Sequence, residues 1–243
     1  MRIDKYLFVN NYFNSRQKAQ DALSEGIVFI NGSVVKKDYL FKEGDIIEVK
    51  ETKDFVARSG FKLEQALQYF QITLTDKVVL DIGASTGGFS ECALNNGAKL
   101  VYAVDVGQAQ LVEKLKNDCR VINMEKTNAR NLTKANFDYD IDFICMDVSF
   151  ISIELLLPIV YDLLVYGGSA VILIKPQFEV GKTHLNKQGI VKNATIIKKM
   201  LDERIKYCQQ LSFEVAGLIK ASLKGRKGNE EYLLYLRKQE VLC

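Results

Sequence analysis

The sequence is poor in the residues that build metal sites and disulfide scaffolds. Its 243 residues include one histidine, His184, no tryptophan, and five cysteines that lie at least 26 residues apart without a CxxC pair. A conventional zinc site needs several His or Cys ligands at close spacing, so the sequence excludes one. It also disfavours a disulfide scaffold, and reduced thiols in a cytoplasmic protein are the expected state.

Long apolar runs are absent as well. The N-terminus, MRIDKYLFVN, has no apolar core of the length that a signal peptide needs. The most apolar region, residues 155–166, is interrupted by Pro158 and Asp162, whereas crossing a bilayer takes about 20 apolar residues. With 48% hydrophobic and 26% charged residues, the composition predicts a soluble globular protein with room for one α/β domain and a smaller one.

Charge is unevenly distributed, although the net charge is only +3. Residues 51–181 have 12 Lys and Arg against 17 Asp and Glu, whereas residues 182–227 have 11 against 3. A basic segment attached to an acidic body predicts a polyanionic partner. A lysine-rich surface that is merely solvated is the alternative.

The first 50 residues predict a small α+β unit. Asn14-Ser15 is suited to begin a helix over residues 16–24, and Gly26 is suited to end it. Asn31-Gly32 predicts a hairpin turn, and KEGDIIEVK a further strand. Such a unit has too little core for an enzyme and is better suited to presenting a surface. The charged segment at residues 51–60 is interpreted as a linker.

From about Lys77 onward, strands alternate with helices. Buried strands are predicted at KVVLDIG, KLVYAVDV, RVINM, DFICMDV and AVILIKP, and helices over residues 88–95, 108–116, 151–166 and 193–210. This alternation predicts a mainly parallel sheet that is covered on both faces. The closing segments FEVAGLIKAS and EEYLLYLRK are the candidate antiparallel element.

The segment VVLDIGASTGGFS predicts a strand, a glycine-rich turn and a helix, the arrangement that binds nucleotides in open α/β sheets. A triphosphate loop would need a lysine where Phe89 stands, and the dinucleotide fingerprint a glycine in place of Ser85. Asp81 and Asp105, near the ends of the first two strands, disfavour phosphates and favour a cation with free ribose hydroxyls. S-adenosylmethionine is such a ligand, with Asp105 on its ribose and Asp81 near its methionine end. A tight turn with solvated acids is the alternative.

Two later strands end in charged side chains, Asp147 and Lys175. Pro176 cannot continue a sheet ladder, so Lys175 is predicted at the carboxyl edge, beside the cofactor. A salt bridge that closes the sheet is the alternative, but a partly buried pair adds little stability. Lys175 is therefore interpreted as lying where a methyl group would be delivered.

Several motifs resemble known families over almost the whole chain. RIDKYL, NSRQKAQDALSEGIVFINGSVV and KEGDIIEV resemble the αL-type RNA-binding module first described in a small-subunit ribosomal protein. RSGFKL, LDIGASTGGFS, VDVG, DFICMDVSF, LIKPQFE and GNEEY resemble the hemolysin A (TlyA) family of ribosomal RNA 2′-O-methyltransferases, which are related to FtsJ-type enzymes. One departure is Ser59, which stands where the family usually has the first glycine of RGGxKL.

The resemblance implies a Lys-Asp-Lys-Glu tetrad at Lys62, Asp147, Lys175 and Glu231, and it alone points to Lys62 and Glu231. Glu230 is expected to face the other way, because neighbours in a strand point to opposite faces. The candidate cofactor-binding residues are Asp81, Gly83, Ser85, Thr86, Gly87, Gly88, Phe89, Asp105, Asn128 and Asp147. The candidate RNA-binding residues are Arg2, Lys5, Arg16, Lys18, Arg58, Lys182, Lys224, Arg226 and Lys227.

The expected architecture is an αL-type RNA-binding domain over residues 1–50, a linker over 51–60, and an FtsJ-like domain over 61–243. The latter is an α/β, Rossmann-like, S-adenosylmethionine-dependent methyltransferase sheet, mostly parallel with an antiparallel last strand. The implied activity is 2′-O-methylation of a cytidine ribose in ribosomal RNA without a metal. The short C-terminus favours the 23S RNA, with the 16S RNA as a further target. An RNA-binding ribosome-assembly protein with an inactive methyltransferase fold and a membrane-lytic hemolysin are the alternatives.

Overall fold

The computed structural model describes residues 1–13, 15–49 and 55–239. The chain divides into two compact units, Met1–Asp54 and Phe55–Cys243. Asn14 and residues 51–54 of the predicted linker lie outside the described residues, whereas residues 55–60 are part of the second unit and include the first residues of a helix.

The first unit is the predicted α+β unit. Ser15 caps its second helix by accepting a hydrogen bond from the backbone N–H of Lys18 at 3.2 Å, and Gly26 ends that helix in the left-handed conformation. Asn31 and Gly32 both have positive φ, as a two-residue hairpin turn requires. The elements are α1 (Ile3–Val9), α2 (Arg16–Glu25), β1 (Val28–Ile30), β2 (Ser33–Val34) and β3 (Ile47–Val49).

The second unit alternates strands and helices. Its elements are α3 (Ser59–Tyr69), β4 (Val78–Ile82), α4 (Gly88–Asn95), β5 (Leu100–Val104), α5 (Glu113–Lys116), β6 (Val121–Met124), β7 (Ile141–Met146), α6 (Leu157–Leu163), β8 (Leu164–Ile174), α7 (Pro176–Glu179), α8 (Ala194–Gln210), β9 (Phe213–Lys220) and β10 (Tyr232–Lys238). In the described residues these strands form one sheet in the order β6-β5-β4-β7-β8-β10-β9. β4 to β8 pair in parallel, and β10 is antiparallel to both of its neighbours. The predicted mostly parallel sheet with an antiparallel last strand is confirmed.

Both faces of this sheet are buried. Along β4, Val78, Leu80 and Ile82 belong to one apolar cluster, while Val79, between the first two, belongs to the cluster on the opposite face. A strand buried on both faces needs apolar residues at every position, which explains the uninterrupted apolar runs in the sequence.

The predicted helix over residues 108–116 is wrong in extent, because α5 begins only at Glu113. The backbone N–H groups of Ala109, Gln110 and Leu111 instead donate to the carboxylate of Glu125, at 2.8, 2.8 and 3.0 Å. A carboxylate from outside this segment thus accepts from backbone N–H groups that would otherwise have donated within a helix.

The predicted helix over residues 151–166 is also wrong in extent, because only Leu157–Leu163 is α-helical. The Lys238 ammonium donates to the carbonyls of Tyr161 and Leu164, at 2.6 and 2.9 Å. Orphan carbonyls at the helix end are therefore satisfied by a side chain, and the chain enters β8 directly.

The sheet's direction of growth reverses between β4 and β7, so the carboxyl ends of β4, β5, β7 and β8 border one crevice. At its floor, Gly83 follows β4 with a φ of +85°, and a Cβ added there would lie 2.5 Å from the Asp147 carbonyl oxygen. Only glycine combines this backbone conformation with so close an approach of the chain after β7.

We predict that Gly83→Ala destabilises the protein more than Gly189→Ala does. Gly189 also has positive φ, at +76°, but a Cβ added there meets no atom within 4 Å. Left-handed strain alone costs about 1–2 kcal/mol, so Gly189→Ala should lose that much, and overpacking against Asp147 should add about 1–3 kcal/mol for Gly83→Ala. Urea unfolding of both variants measures the difference, and equal losses would contradict the close approach.

Candidate active site

Lys175 and Asp147 meet at the ends of β8 and β7. The Lys175 Nζ atom lies 2.6 Å from Asp147 Oδ1, as an ion pair rather than a well-aligned hydrogen bond, and it donates to Ser149 Oγ at 2.9 Å. Parallel pairing of β7 with β8 sets Met146 opposite Ile172, so Lys175 lies two residues beyond the position level with Asp147, at the same edge of the sheet. Their side chains are only 12% and 16% exposed, so the pair is screened little by solvent. The structure therefore brings together the two strand-end residues identified from the sequence.

Lys62 and Glu231 form a second, more deeply buried pair. The Lys62 ammonium donates to Glu231 Oε2, and the two residues are 8% and 3% exposed. Tyr232 pairs with Ile174 in the antiparallel register of β10 and β8, which places Glu231 opposite Lys175. Glu230 turns the other way and pairs with Lys220, as strand alternation predicts.

Close packing of α3 on α4 allows Lys62 to approach the sheet. A Cβ added at Gly60 would lie 2.9 Å from the Gly88 carbonyl oxygen, and one added at Gly88 would lie 2.2 Å from Ser59 Oγ. The serine that departs from the family pattern thus fills the space beside Gly88, while Gly60 keeps the helix contact close. The arrangement leaves Lys62 on the buried face of α3.

Asp81 is a fully buried acid at the carboxyl end of β4. Its Oδ2 atom accepts a hydrogen bond from Ser90 Oγ at 2.6 Å, whereas its buried Oδ1 atom has no hydrogen-bond partner in the described residues. The pKa of Asp81 is raised to about 7, chiefly by burial and also by the nearby carboxylates of Asp147 and Asp105, against the opposing hydrogen bond from Ser90. A cation in the crevice would relieve this unfavourable charge.

Asp105 joins the loops that follow β4 and β5. Its carboxylate accepts hydrogen bonds from the backbone N–H groups of Ser85, at 2.9 Å, and Gly107, at 2.7 Å. Ser85 and Thr86 are exposed at the tip of the glycine-rich turn. These contacts fix an acid at the mouth of the crevice, with the turn beside it.

The remaining predicted cofactor residues differ in their surroundings. Gly87 is closely packed, since a Cβ there would lie 2.1 Å from Leu115. Phe89 is 2% exposed and packs in the core, so its side chain supports the turn from below. Asn128 caps a short 3₁₀ turn by accepting from the Arg130 backbone N–H at 3.1 Å. Among Gly87, Phe89 and Asn128, Phe89 is the residue whose side chain is buried in the core and does not reach the crevice.

Ser149, Phe150 and Phe178 were not among the site residues predicted from the sequence. Phe150 is 91% exposed and has a φ of +65°, and its ring centroid lies 5.0 Å from that of Phe178. The Lys175 Nζ atom lies 6.0 Å from the Phe178 ring centroid. Each phenylalanine stands three residues after a charged strand-end residue, Asp147 or Lys175, and this equal spacing is the signal that could have revealed the pair.

In the first unit, Arg2 and Arg16 share one buried carboxylate. Asp4 is fully buried, with Arg2 Nε 3.1 Å from its Oδ1 atom and an Arg16 guanidinium nitrogen 2.9 Å from Oδ2. Burial acts to raise the pKa of Asp4, but hydrogen bonds from Gln20 and Arg16 outweigh it and lower that pKa overall. The two guanidiniums are half exposed and held together, and the predicted Lys5 and Lys18 are exposed as well.

In the second unit, exposed lysines and arginines lie on two loops that are joined by Asn229. Its side chain accepts from the Val191 backbone N–H and donates to the Gly189 carbonyl, both at 3.0 Å. Arg58 is half-buried at the start of α3 and is separate from these loops in the sequence. The exposed predicted residues on the two loops are Lys182, Lys224, Arg226 and Lys227.

Two further features concern metals and membranes. Within residues 1–13, 15–49 and 55–239, no group of three or more His, Cys, Asp or Glu side chains is arranged to hold a metal ion. Across the same ranges, no helix combines the length and the apolar character needed to cross a membrane. Among the described residues, Cys92, Cys119, Cys145 and Cys208 form no disulfide bond.

Two protein-family models match the chain. The FtsJ-like methyltransferase family matches residues 55–238, and the S4 domain matches residues 1–47. The first match covers most of the second unit, including all four tetrad positions. The second covers the helices and strands of the first unit.

Similar proteins extend over nearly the full length of the chain. Hemolysin A of Brachyspira hyodysenteriae is 44% identical over 97% of this chain and 99% of its own length. The 16S/23S rRNA (cytidine-2'-O)-methyltransferase TlyA of Mycobacterium tuberculosis is 36% identical over 98% of this chain and 90% of its own. A solved structure from Streptococcus thermophilus that carries the name hemolysin has 40% identity and a TM-score of 0.77, covering 99% of this chain and 89% of that one.

We predict that Asp81→Asn stabilises the protein relative to wild type more at pH 8 than at pH 5. The folded wild type holds a proton up to about pH 7, whereas the unfolded chain releases it near pH 4, so wild-type stability falls between these values. The amide does not titrate, so its advantage should grow by about 2–3 kcal/mol, at roughly 1.4 kcal/mol per pH unit.

Chemical unfolding at pH 5, 6, 7 and 8 measures this difference. Asp140→Asn, at an exposed acid, is the control and should show no such trend. A pH-independent difference between Asp81→Asn and wild type would contradict the raised pKa.

Proposed function

The chain belongs to the FtsJ-like methyltransferase family, and we propose that it transfers a methyl group from S-adenosylmethionine to a ribose 2′-hydroxyl of ribosomal RNA. The observation that carries the proposal is the pairing of Lys175 with Asp147 and of Lys62 with Glu231 around the carboxyl ends of β7 and β8. The first pair was identified from strand-end positions and the second from the family resemblance. Both lie in a crevice of the kind that holds nucleotides in this type of sheet.

The crevice fits a cationic nucleoside. The buried Asp81 has an unpartnered oxygen and a pKa raised by burial, so a nearby positive charge would stabilise its carboxylate. Asp105 lies at the mouth with acceptor capacity left for a ribose diol, since each carboxylate oxygen has two lone pairs. When bound, S-adenosylmethionine supplies an electrophilic methyl group on a sulfonium.

Lys175 is proposed to act on the ribose hydroxyl. Its ammonium has three donors, of which Ser149 engages one, while Asp147 lies at ion-pair distance without an aligned hydrogen bond, so donor capacity remains for the 2′-oxygen. A hydrogen bond from this ammonium stabilises the negative charge that develops as the hydroxyl releases its proton to solvent water. Asp147 and Ser149 fix the direction of that bond, and a distance of about 3–3.5 Å between oxygen and methyl carbon completes the attack geometry.

The second pair sets the electrostatic surroundings of the first. Lys62 alone would repel a neighbouring ammonium. Glu231 neutralises Lys62 and stands opposite Lys175 in the sheet register, so it offsets that repulsion. The proposed role of this pair is to hold Lys175 charged and correctly directed.

The proposed substrate is RNA in the ribosome, which the protein would reach in the cytoplasm. Arg2 and Arg16 in the first unit, and the basic loops joined by Asn229 in the second, provide phosphate contacts that position the RNA. The exposed Phe150 and the partly buried Phe178 provide a stacking surface for a nucleobase beside Lys175. The 23S RNA is the proposed target, and assays with both ribosomal subunits test whether the 16S RNA is also modified.

We predict that Lys175→Ala lowers the rate of methyl transfer by about 100- to 1,000-fold, the usual effect of removing one donor to a developing oxyanion. S-adenosylmethionine affinity should change less than threefold, because Asp81 and Asp105 are untouched. Mass spectrometry of ribosomal RNA nucleosides gives the rate, and calorimetry gives the affinity.

Lys198→Ala is the matched control, since it removes an exposed lysine on α8. It should retain full activity. Near-wild-type transfer by Lys175→Ala would rule out the proposed role, and an inactive wild-type protein that still binds RNA would favour a ribosome-assembly function.

We predict that RNA binding weakens steeply with salt and that Arg2 and Arg16 contribute to this dependence. Each phosphate contact adds about 0.7–0.9 to the slope of log affinity against log salt concentration. The double variant Arg2→Ala/Arg16→Ala should therefore lower the slope by about 1.4 to 1.8.

The control double variant Lys198→Ala/Lys199→Ala removes the same charge from α8, where Asp202 and Glu203 already pair with these lysines. Its slope should stay close to that of wild type in fluorescence anisotropy with a ribosomal RNA fragment. An equal reduction by both double variants would show a net-charge effect and contradict the assignment of the arginines.

A further inference from the structure

Glu179 holds a buried carboxylate at the centre of a hydrogen-bond network close to Lys175. Its side chain is 1% exposed and accepts hydrogen bonds from Ser152 Oγ at 2.7 Å, from the Ile153 backbone N–H at 3.0 Å, and from Arg204 Nε at 2.9 Å. Arg204 is 12% exposed and also pairs with Glu154 at 2.7 Å. Three donors from two other segments of the chain, residues 152–153 and α8, thus bind this carboxylate.

These contacts connect the two chain segments that carry the proposed catalytic pair. Glu179 is the last residue of α7, the short helix that begins immediately after Lys175. Ser152 and Ile153 lie on the segment that follows β7 and includes Asp147. The same carboxylate therefore fixes the chain after β8 to the chain after β7.

We propose that Glu179 is a positioning residue that sets the geometry of the Lys175–Asp147 pair and of the Phe150–Phe178 pair. The inference rests on the proposed methyl-transfer function and extends it to a residue that touches neither substrate nor cofactor. Phe178 is on α7, and Phe150 is on the segment held by Ser152 and Ile153. Glu179 consequently sets the distance between Lys175 and Asp147 and the distance between Phe150 and Phe178.

Energetics favour a geometric role over a role in stability alone. A buried ion pair such as Glu179 with Arg204 loses much of its attraction to desolvation and gives little net stability. The segment it holds includes Phe150, whose positive φ is costly for a bulky residue and persists only where the surroundings impose it. The hydrogen bonds to Ser152 and Ile153 lie close enough in the chain to impose this conformation.

Removing the carboxylate should therefore affect catalysis without affecting cofactor binding. A displacement of about 1 Å between reacting groups can lower a rate about 100-fold. The acids that fit the cofactor, Asp81 and Asp105, are on β4 and after β5, apart from the Glu179 network. We expect a loss in the transfer rate with little change in S-adenosylmethionine affinity.

The test compares Glu179→Ala, Glu179→Gln and the control Asp202→Asn. Glutamine is nearly the same size and keeps one acceptor oxygen for the Ile153 backbone N–H, but its amide nitrogen replaces the oxygen that accepts from Ser152 and Arg204. Asp202 pairs with Lys198 on the exposed face of α8, so its variant removes an acid of the same unit outside the network. Single-turnover transfer to ribosomal RNA, cofactor affinity and the acylation rate of Lys175 by mass spectrometry are measured for each.

Glu179→Ala should lower transfer about 100-fold and Glu179→Gln about tenfold, so that the glutamine rescues part of the loss. Asp202→Asn should stay within about twofold of wild type, and cofactor affinity within about threefold throughout. Lys175 acylation, referenced to the exposed Lys227, should accelerate at least about threefold in Glu179→Ala as its pairing loosens.

The inference would be overturned if both Glu179 variants showed the same methyl-transfer rate and the same Lys175 acylation rate as Asp202→Asn. If Glu179→Ala does not fold, the same comparison with the near-isosteric Glu179→Gln decides it. If wild type itself does not methylate ribosomal RNA, the proposed function fails, and the Lys175 acylation rates still decide whether Glu179 positions the pair.

Discussion

The ion pair between Lys175 and Asp147 is the contact on which the rest of the crevice depends. It exists because β7 and β8 are parallel neighbours: Met146 pairs with Ile172 and β8 continues two residues further, so that the Lys175 side chain meets Asp147 at the end of β7. Gly83 allows the chain after β7 to pass within contact distance of the end of β4, which brings the same aspartate beside the cofactor turn. The sheet thereby places an ammonium donor and the proposed sulfonium site at one edge, where a hydroxyl held by the ammonium can attack a methyl group in line.

Loops around this edge are held by carboxylates rather than by apolar packing. Glu125 accepts three consecutive backbone N–H groups, Asp105 joins two loops, and Glu179 joins two more. Glu91, almost fully buried in α4, accepts from the Val56 backbone N–H and from Lys114. Irregular backbone beside a crevice leaves many donors without ladder partners, and an acid satisfies several of them at once. This explains how the acidic part of the second unit, up to residue 181, forms an ordered site.

Much of this architecture follows from the sequence because buried strands and glycine turns have strong local signals. The strand ends at Asp147 and Lys175 were predictable, since an apolar run that stops at a charged residue marks the sheet edge. Lys62 and Glu231 were not predictable from pattern alone, because an isolated charge on a helix or strand is usually exposed, and their pairing spans most of the second unit. Residues 108–112 were misassigned as helix because the competing acceptor, Glu125, is distant in sequence and leaves no periodic signal. Glu179 escaped notice for the same reason, as its partners are about 25 residues away on either side.

The distribution of charge has a consequence for how RNA can be bound. Each pair, Lys175 with Asp147 and Lys62 with Glu231, is neutral, so the crevice offers no net attraction to a phosphate, and Asp81 and Asp105 add negative character beside it. The two pairs alone would therefore not draw a polyanion to this edge, and Asp81 and Asp105 would repel it. Attraction must therefore come from exposed cations elsewhere, such as the paired Arg2 and Arg16 or the lysines on the loops joined by Asn229. Exposed cations away from the crevice thus supply the long-range attraction, and the crevice residues supply the local chemistry. Lys175, the proposed catalytic lysine, can therefore act on one hydroxyl without being drawn to the phosphates on either side of it.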